Sequence, residues 1–346
     1  IPITMTRASA GTRVNPQGLV ETVELFGSEL VTNGDFESGT SGWIGYYSGT
    51  LNNTGNALNV VDNGGGARAS TSITTVIGKT YKYVADITQI QSINTLIAVS
   101  NAITLDGAYV NGANISTPTN NVSVTFTATA TTTYIGFKRN GAGVGQTNIY
   151  DNVSVKEYQA NDLARVDYTG STSSLLAEPQ RTNVIEYSED FSNSYWAKSN
   201  ANVESNAAVS PDGTQNADKL NFTTSSGEIV KGMAFVSGQT YTMSFYAKTE
   251  SGTLDFIYGN MDYFTISGTA TDEWQRFVIT QTLPTTTRFP KIQTTEIGSL
   301  LLWGWQVEQG SFPTSYIPTS GSTVTRNQDI FTRDGIGSLI NSTEGV

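Results

Sequence analysis

The chain contains one set of sequence landmarks twice. They are Asp35-Phe36, Trp43, Gly78-Lys79-Thr80-Tyr81 and the run 149–155 in the first half, and Asp190-Phe191, Trp196, Gly238-Gln239-Thr240-Tyr241 and the run 301–307 in the second. Because both sets keep the same order and nearly the same spacing, they indicate two copies of one domain. Such a duplication favours a protein that binds repeatedly over one that catalyses a reaction.

The local pattern of the chain indicates strands throughout. No stretch keeps apolar residues at i, i+3, i+4 and i+7 over three turns between helix caps. Residues 121–129, 240–247 and 274–280 instead alternate apolar and polar side chains, as strands with one buried face do. Turn signals such as Asn33-Gly34 and Asp106-Gly107 separate these runs. The sequence therefore predicts an all-β fold of two tandem jelly-roll β-sandwiches joined by extended segments.

The landmarks also set the expected domain boundaries. We expect sandwiches at residues 27–158 and 184–310, with extended segments at 1–26, 159–183 and 311–346. Each extended segment contains spaced apolar residues, for example Val14, Leu175 and Tyr316. We therefore expect these segments to pack against the sandwiches or against neighbouring chains. An ordinary interdomain linker is the alternative for each of them.

Composition excludes several classes of function. The 346 residues include no His, which removes the commonest general base, the commonest zinc ligand and every Ser-His-Asp arrangement. They include no Cys either, so neither disulfides nor thiolate chemistry are available. The formal net charge of −11 gives no electrostatic attraction to nucleic acid. No apolar run approaches the ~20 residues that span a bilayer, so we expect no membrane insertion.

Several separated motifs in residues 163–330 occur in a recognisable order. They are Leu175-Leu176-Ala177-Glu178-Pro179-Gln180-Arg181-Thr182-Asn183, Ser210-Pro211-Asp212-Gly213, Trp303-Gly304-Trp305-Gln306 and Tyr316-Ile317-Pro318-Thr319. This string resembles a module of tailed-bacteriophage virion proteins, particularly fibres and other surface-exposed proteins. Residues 6–21 resemble the segment that precedes that module. The stretch 27–158 between them looks inserted and is similar to carbohydrate-binding modules of the galactose-binding-like class. Residues 336–346 resemble the first strand of a further lectin-like domain.

The resemblance to carbohydrate-binding modules implies a structural Ca²⁺ that links the first strand of the sandwich to the last. Asp35, Glu37 and Asp151 occupy the matching positions, and hard cations prefer such oxygen ligands. In the second copy Trp303 stands where the first has Asp151, which puts a second metal site in doubt. The alternative without an ion is that Asp35 caps a turn and Asp151 ends a strand.

Glycan binding would require aromatic faces with polar groups beside them. The aromatic residues that we single out are Tyr46 and Tyr47 in the first copy and Tyr246, Tyr258, Tyr263 and Trp274 in the second. The alternative for each is a place in a core, because alternation points about half of any strand inward. Trp43 and Trp196 belong to both sets of landmarks, so we assign them to packing.

Catalysis is the weaker alternative. The carboxylate pairs Glu189-Asp190 and Asp272-Glu273 are adjacent in sequence, so along a strand their members would face opposite sides. The sequence predicts a non-enzymatic protein of the virion surface, a fibre or appendage that contacts other virion proteins and host glycans. By resemblance it would be a homo-oligomer, specifically a trimer. The alternatives are a purely architectural capsid or tail decoration and an accessory module of a secreted polysaccharide-degrading enzyme.

Overall fold

The chain divides into two compact units. The computed structural model describes residues 3–91, 94–139, 141, 143–169, 172–260, 264–284 and 286–332. One unit, here called the inserted unit, is residues 24–159, and the other, the host unit, combines residues 1–23 with 160–346. The described residues form strands, turns and bends without helix, which confirms the all-β prediction. No helix in these ranges could cross a membrane.

The first strands of the chain belong to the host unit. They are β1 (Thr4–Thr6), β2 (Thr12–Val14) and β3 (Val20–Thr22). Strands β2 and β3 pair as an antiparallel hairpin whose turn contains Gly18 at φ +81°. The side chain of Asn15 accepts hydrogen bonds from the N–H groups of Gln17 and Leu19, as Asn commonly does in turns. This part of the predicted extended segment 1–26 is therefore a hairpin.

The inserted unit is a two-sheet sandwich. Its strands are β4 (Leu25–Glu29), β5 (Ile44–Tyr46), β6 (Gly49–Asn53), β7 (Leu58–Asp62), β8 (Arg68–Thr74), β9 (Thr80–Gln89), β10 (Thr95–Ser100), β11 (Val110–Asn111), β12 (Thr119–Thr127), β13 (Thr132–Arg139) and β14 (Thr147–Gln159). One sheet has the order β11-β10-β13-β8-β5. The other has the order β12-β9-β14-β7-β6, with β4 paired to β14. The pairing of β4 places the start of this unit at residue 24 rather than at the expected residue 27.

Alternation along β9 shows how this core forms. Tyr81, Tyr83, Ala85 and Ile87 are buried, while the residues between them are partly exposed. Trp43 is also buried, as expected, and packs against the core. Burying a large apolar side chain such as Ile87 contributes roughly 1.5–3 kcal/mol.

The remaining strands belong to the host unit. They are β15 (Val166–Asp167), β16 (Ser174–Leu175), β17 (Arg181–Asn183), β18 (Ala197–Ser199), β19 (Ala201–Ala208), β20 (Ala217–Phe222), β21 (Glu228–Val230), β22 (Met233–Ala234), β23 (Thr240–Lys248), β24 (Leu254–Asn260), β25 (Phe264–Ala270), β26 (Gln275–Thr282), β27 (Thr287–Arg288), β28 (Pro290–Thr294), β29 (Gly298–Gln309), β30 (Val324–Arg326) and β31 (Ile330–Thr332). The sandwich sheets are β18-β21-β28-β24-β25 and β19-β20-β29-β23-β26. Trp196 and Trp305 meet in its core with ring centroids 4.6 Å apart.

Buried charges join the extended segments of the host unit to one another. Arg7 and Arg165 both bind Asp329, with closest N···O distances of 2.8 and 2.5 Å. Arg165 and Arg326 also bind Glu178, at 2.9 and 2.8 Å. The three arginines are almost fully buried. The three segments therefore bind one another, in addition to pairing as β1-β31 and β17-β30.

Candidate functional site

The two sandwiches share a hydrogen bond at the repeated Gly-x-Thr-Tyr landmark. The Tyr81 hydroxyl accepts a hydrogen bond from the Val76 N–H at 2.8 Å, and the Tyr241 hydroxyl accepts one from the Val236 N–H at 3.3 Å. This match sets Asp86 and Tyr246 at the same position, five residues after each tyrosine.

The last long strand of each sandwich also has the same irregularity. The β14–β9 ladder shifts register after Asp151, and the β29–β23 ladder shifts next to Trp303. The residue that follows has positive φ in both, Asn152 at +51° and Gly304 at +65°. A β-bulge therefore lies at the same place in both copies.

The bulge brings together two of the three predicted calcium ligands. Asp151 pairs with Asp86 across the ladder, and the Val153 N–H donates to the Gly34 carbonyl at 2.9 Å beside Asp35. Burial raises the pKa of Asp151, and the negative charges of Asp86 and Asp35 raise it further. Such repulsion between carboxylates would be relieved by a cation.

Glu37, the third predicted ligand, is exposed, and its N–H donates to Asp35 Oδ1 at 3.3 Å. Asp35 therefore also caps a turn, as in the alternative without an ion. In the described part of the chain no group of three or more acidic side chains is arranged to hold a metal ion. Carbonyl oxygens would have to complete the coordination, and calcium stays a prediction.

Aromatic residues fill the equivalent place in the host unit. Tyr246 and Trp303 stand where the inserted unit has Asp86 and Asp151, and their ring centroids lie 5.5 Å apart. Tyr316 packs on Trp303 at 4.6 Å and donates its hydroxyl to Glu189 at 2.7 Å. The Tyr316-Ile317-Pro318-Thr319 motif therefore packs on this face. Aromatic rings stand where the inserted unit has carboxylates, which is the physical reason to doubt a second metal site.

Buried polar groups hold the docked motif in place. Glu308 accepts hydrogen bonds from the N–H and the hydroxyl of Thr314, at 2.8 and 2.7 Å. Gln306 donates to Glu308 at 2.7 Å and accepts from the Ile317 N–H at 2.7 Å. The buried side chains of Glu308 and Gln306 therefore both have hydrogen-bond partners, which offsets the cost of burying them.

The tyrosines singled out in the inserted unit lie at the edge of its five-stranded sheet. Tyr46 is on β5 opposite Arg68 of β8. Tyr47 follows at positive φ, +54°, and is exposed. The Arg68 guanidinium lies 4.3 Å from the centroid of the Tyr47 ring, and the Tyr47 hydroxyl donates to Asp106. The exposed ring of Tyr47 is therefore already used as an internal contact.

The aromatic residues singled out in the host unit have different surroundings. Tyr258 lies in the core, 5% exposed, against Phe245 and Phe277, so it does not offer a ring face to a ligand. Tyr263 lies outside the described residues. Trp274 donates its indole N–H to the Val209 carbonyl at 3.1 Å.

Tyr246 lines a cleft on the host unit. The cleft has a volume of about 470 Å³, and its walls come from the β2–β3 hairpin, residues 167–169, Leu176, Glu178, β23, β26 and residues 313–316. Tyr168, 37% exposed, is a further aromatic side chain of the lining. Ligand pockets for small molecules typically measure roughly 300–1,000 Å³. A recess of about 590 Å³ beside Arg181 contains one aromatic residue, Tyr241, and is the more polar of the two.

Hydrogen bonds fix the charged groups of this cleft. Arg276 Nη2 donates to Ser244 Oγ at 3.0 Å and to the Thr314 carbonyl at 2.8 Å, with the guanidinium 5.5 Å from the Tyr246 centroid. Asp167 accepts from the N–H groups of Val14 and Thr169 at 2.7 and 3.1 Å. Donors and acceptors thus stand in fixed positions beside aromatic rings.

Sequence reasoning identified Tyr246 but missed Arg276, Asp167 and Tyr168. Asp167 and Tyr168 lie in the segment 159–183, which was expected to be extended and was given no ligand role. Their one sequence signal is the Val-Asp-Tyr run at 166–168, between Arg165 and the dipeptide Thr169-Gly170. The cleft is assembled from parts of the chain about 150 residues apart, which no local pattern reveals.

The carboxylate pairs considered for catalysis do not face a common space. Glu189 contacts Tyr316, whereas Asp190 accepts hydrogen bonds from Ser192 and Asn193 in a turn. Burial raises the pKa of Glu189, and the charge of Asp212 raises it further against the lowering effect of the Tyr316 hydrogen bond. Asp272 and Glu273 are exposed in the turn before β26.

Matches to known proteins come from solved structures alone. No protein-family model matches the sequence, and no curated protein matches it. Among solved structures, the CBM22-1–CBM22-2 tandem of Paenibacillus barcinonensis Xyn10C aligns over 82% of this chain and 98% of its own, at 12% identity and a TM-score of 0.29. The CBM22-1 xylan-binding domain of the same enzyme aligns over 38% of this chain and 94% of its own, at 13% identity and a TM-score of 0.29. The enzymatically active domain of bacteriophage CBA120 tailspike protein 4 aligns over 37% of this chain and 21% of its own, at 14% identity and a TM-score of 0.30. Alignments at these values say nothing about what this chain binds.

Proposed function

We propose that this chain is a non-enzymatic glycan-binding protein of a phage virion surface, with a saccharide site in the cleft of the host unit. The observation that carries the proposal is the convergence of Tyr168 and Tyr246 with fixed polar groups in that cleft. A sugar ring presents an apolar face that stacks on aromatic rings and hydroxyls that bond to groups such as Arg276 and Asp167.

The virion context is supported by the sequence motifs of residues 163–330. Two of these motifs have a structural role that is specific to them. Glu178 of the Glu-Pro-Gln-Arg motif binds Arg326, and Tyr316 of the Tyr-Ile-Pro-Thr motif binds Glu189. A fibre or appendage on a multivalent particle gains avidity from weak sites, so a single cleft of modest affinity suffices. Contacts with other virion proteins and a trimeric state belong to the same proposal.

A glycan array of bacterial surface saccharides, probed with the full chain, tests this function. We expect binding of the wild type, and an affinity about five- to tenfold lower for Tyr168→Ala, because one stacking contact is lost. Phe312→Ala is the matched control, since Phe312 is an exposed aromatic residue of the host unit outside the cleft lining.

The array also separates the proposal from its alternatives. A chain that binds no glycan but assembles tightly onto particles would be an architectural decoration. Cleavage of a bound polysaccharide by the purified chain would contradict the non-enzymatic assignment.

A further inference from the structure

One loop of the inserted unit lies across the outer face of its five-stranded sheet. Alternation points Ile97 and Val99 of β10 into the core and Leu96 and Ala98 outward. The outward pair is nevertheless buried, because Leu105 of the loop 101–109 packs on it. Ser70 of β8, on the same outer face, donates its hydroxyl to the Ile103 carbonyl at 2.5 Å.

The contact that closes the loop is polar and lies at the surface. Asp106 accepts hydrogen bonds from Tyr47 and, at 2.7 Å, from Arg68, which also donates to the Thr104 carbonyl at 2.7 Å. The Asp106 side chain is 51% exposed. We call the contact among Tyr47, Arg68 and Asp106 the latch.

Backbone strain lies on both sides of the latch. Tyr47 has φ +54°, and Leu105, next to Asp106, has φ +59° while it is fully buried. Bulky residues adopt this left-handed conformation only when the surrounding structure enforces it, and such strain clusters at clamps and switch regions. Opening the loop would release the strain at Leu105, and the latch opposes that release.

We propose that residues 101–109 form a lid held shut by the latch, and that opening of the lid uncovers the outer face of the five-stranded sheet. That face carries apolar residues in its centre, Leu96 and Ala98, with Tyr134 and Lys138 of β13 beside them. The lid is therefore a conformational device that controls access to a second surface, in a different unit from the cleft.

Hydrogen–deuterium exchange of the full chain tests the lid. The reporters are the N–H of Leu105, bonded to the Ala102 carbonyl at 2.9 Å, and the N–H of Tyr109, bonded to the Val99 carbonyl at 3.0 Å. We expect Asp106→Ala to accelerate their exchange about tenfold and Tyr47→Phe to accelerate it less, while amides of β9 and β14 keep their rates.

Glu157→Gln is the matched control, since Lys79 and Glu157 form an equally short ion pair of the same unit, at 2.7 Å, and the acid is about as exposed as Asp106. Exchange at Leu105 and Tyr109 that is no faster in Asp106→Ala than in this control would overturn the proposal. Faster exchange throughout β9 and β14 would overturn it as well, because it would show loss of the whole sandwich rather than opening of a lid.

Discussion

Asp86 of the inserted unit and Tyr246 of the host unit occupy the same position in two copies of one sandwich. Each pairs across a bulged ladder with its counterpart, Asp151 in one copy and Trp303 in the other. The same backbone thus presents two carboxylates in one unit and two aromatic rings in the other. The aromatic version accommodates Tyr316, whereas the acidic version leaves like charges close together.

Calcium should stabilise the inserted unit through this acidic position. We expect added Ca²⁺ to raise the midpoint of thermal unfolding of the wild type but not of Asp151→Asn. Without calcium, Asp151→Asn should be neutral or stabilising, because burial and the charges of Asp86 and Asp35 raise the pKa of Asp151. Glu157→Gln serves as the control, and calcium should raise its midpoint as in the wild type. Equal shifts in wild type and Asp151→Asn would show that the ion binds elsewhere.

Breaking the buried ion pair between Arg7 and Asp329 should destabilise the host unit. Both side chains are fully buried, and Asp329 also binds Arg165. Asp329→Ala leaves two buried guanidinium groups without this partner, so we expect a loss of about 3–5 kcal/mol in the free energy of unfolding. Glu250→Gln, which removes the exposed partner of Lys219, should cost about 0–1 kcal/mol. Urea unfolding followed by tryptophan fluorescence measures both, and similar losses would contradict the prediction.

The contribution of Asp329 should depend on pH in a defined direction. Burial by itself raises the pKa of Asp329, but hydrogen bonds from Arg7, the Glu178 N–H and Arg165 outweigh it and lower the pKa below the ordinary value of 3.8. An acid whose pKa is lower in the folded state stabilises the fold above its unfolded pKa and loses that effect as pH falls through its folded pKa. The stability difference between wild type and Asp329→Ala should therefore be constant near neutrality and shrink below about pH 4. A difference that grows on acidification would exclude this role.

The sequence predicted the architecture better than the sites. Alternation in runs such as 240–247 marks strands because period two is a local property, and the repeated Tyr81 and Tyr241 mark the same turn in both copies. The buried network of Arg7, Arg165 and Asp329 was missed. It joins residues about 160 to 320 positions apart, and single charged residues near the ends of a chain resemble a solvated surface.

The aromatic candidates show a second limit of the sequence. Tyr246 and Tyr258 both lie in strands with alternating patterns, yet one lines a cleft and the other lies in the core. Alternation gives the two faces of a strand, but whether the outer face meets solvent depends on what packs there. On β23 the outer face is partly covered by residues 313–316, whose position depends on buried Glu308.

Gly34 of the Asn33-Gly34-Asp35 motif should not tolerate a side chain. A Cβ at this position would lie 2.0 Å from the Val153 carbonyl oxygen, because the turn packs directly on the bulge of β14. Gly34→Ala should therefore lower the free energy of unfolding of the inserted unit by several kcal/mol, at least ~3. Gly78→Ala is the control: its Cβ would meet open space, so only the cost of φ +85° remains, about 1 kcal/mol. Equal losses in the two variants would show that close approach to Val153 is not the cause.

The host unit should fold after the inserted unit is removed. Val23 and Ala160 flank the segment to be removed, and both contact neighbouring residues. The Val23 N–H donates to the Gly11 carbonyl at 3.0 Å, and Arg7 donates to the Ala160 carbonyl at 3.5 Å. A Cβ on Gly11 would lie 3.1 Å from Arg7 Cζ, so Gly11 and Arg7 are neighbours. A short Gly-Ser linker from Val23 to Ala160 therefore replaces residues 24–159 without strain. We expect one cooperative unfolding transition reported by Trp196 and Trp305, and Asp329→Ala should destabilise the shortened chain as much as the full one. A shortened chain without a cooperative transition would show that the host unit requires the sandwich inserted into its sequence.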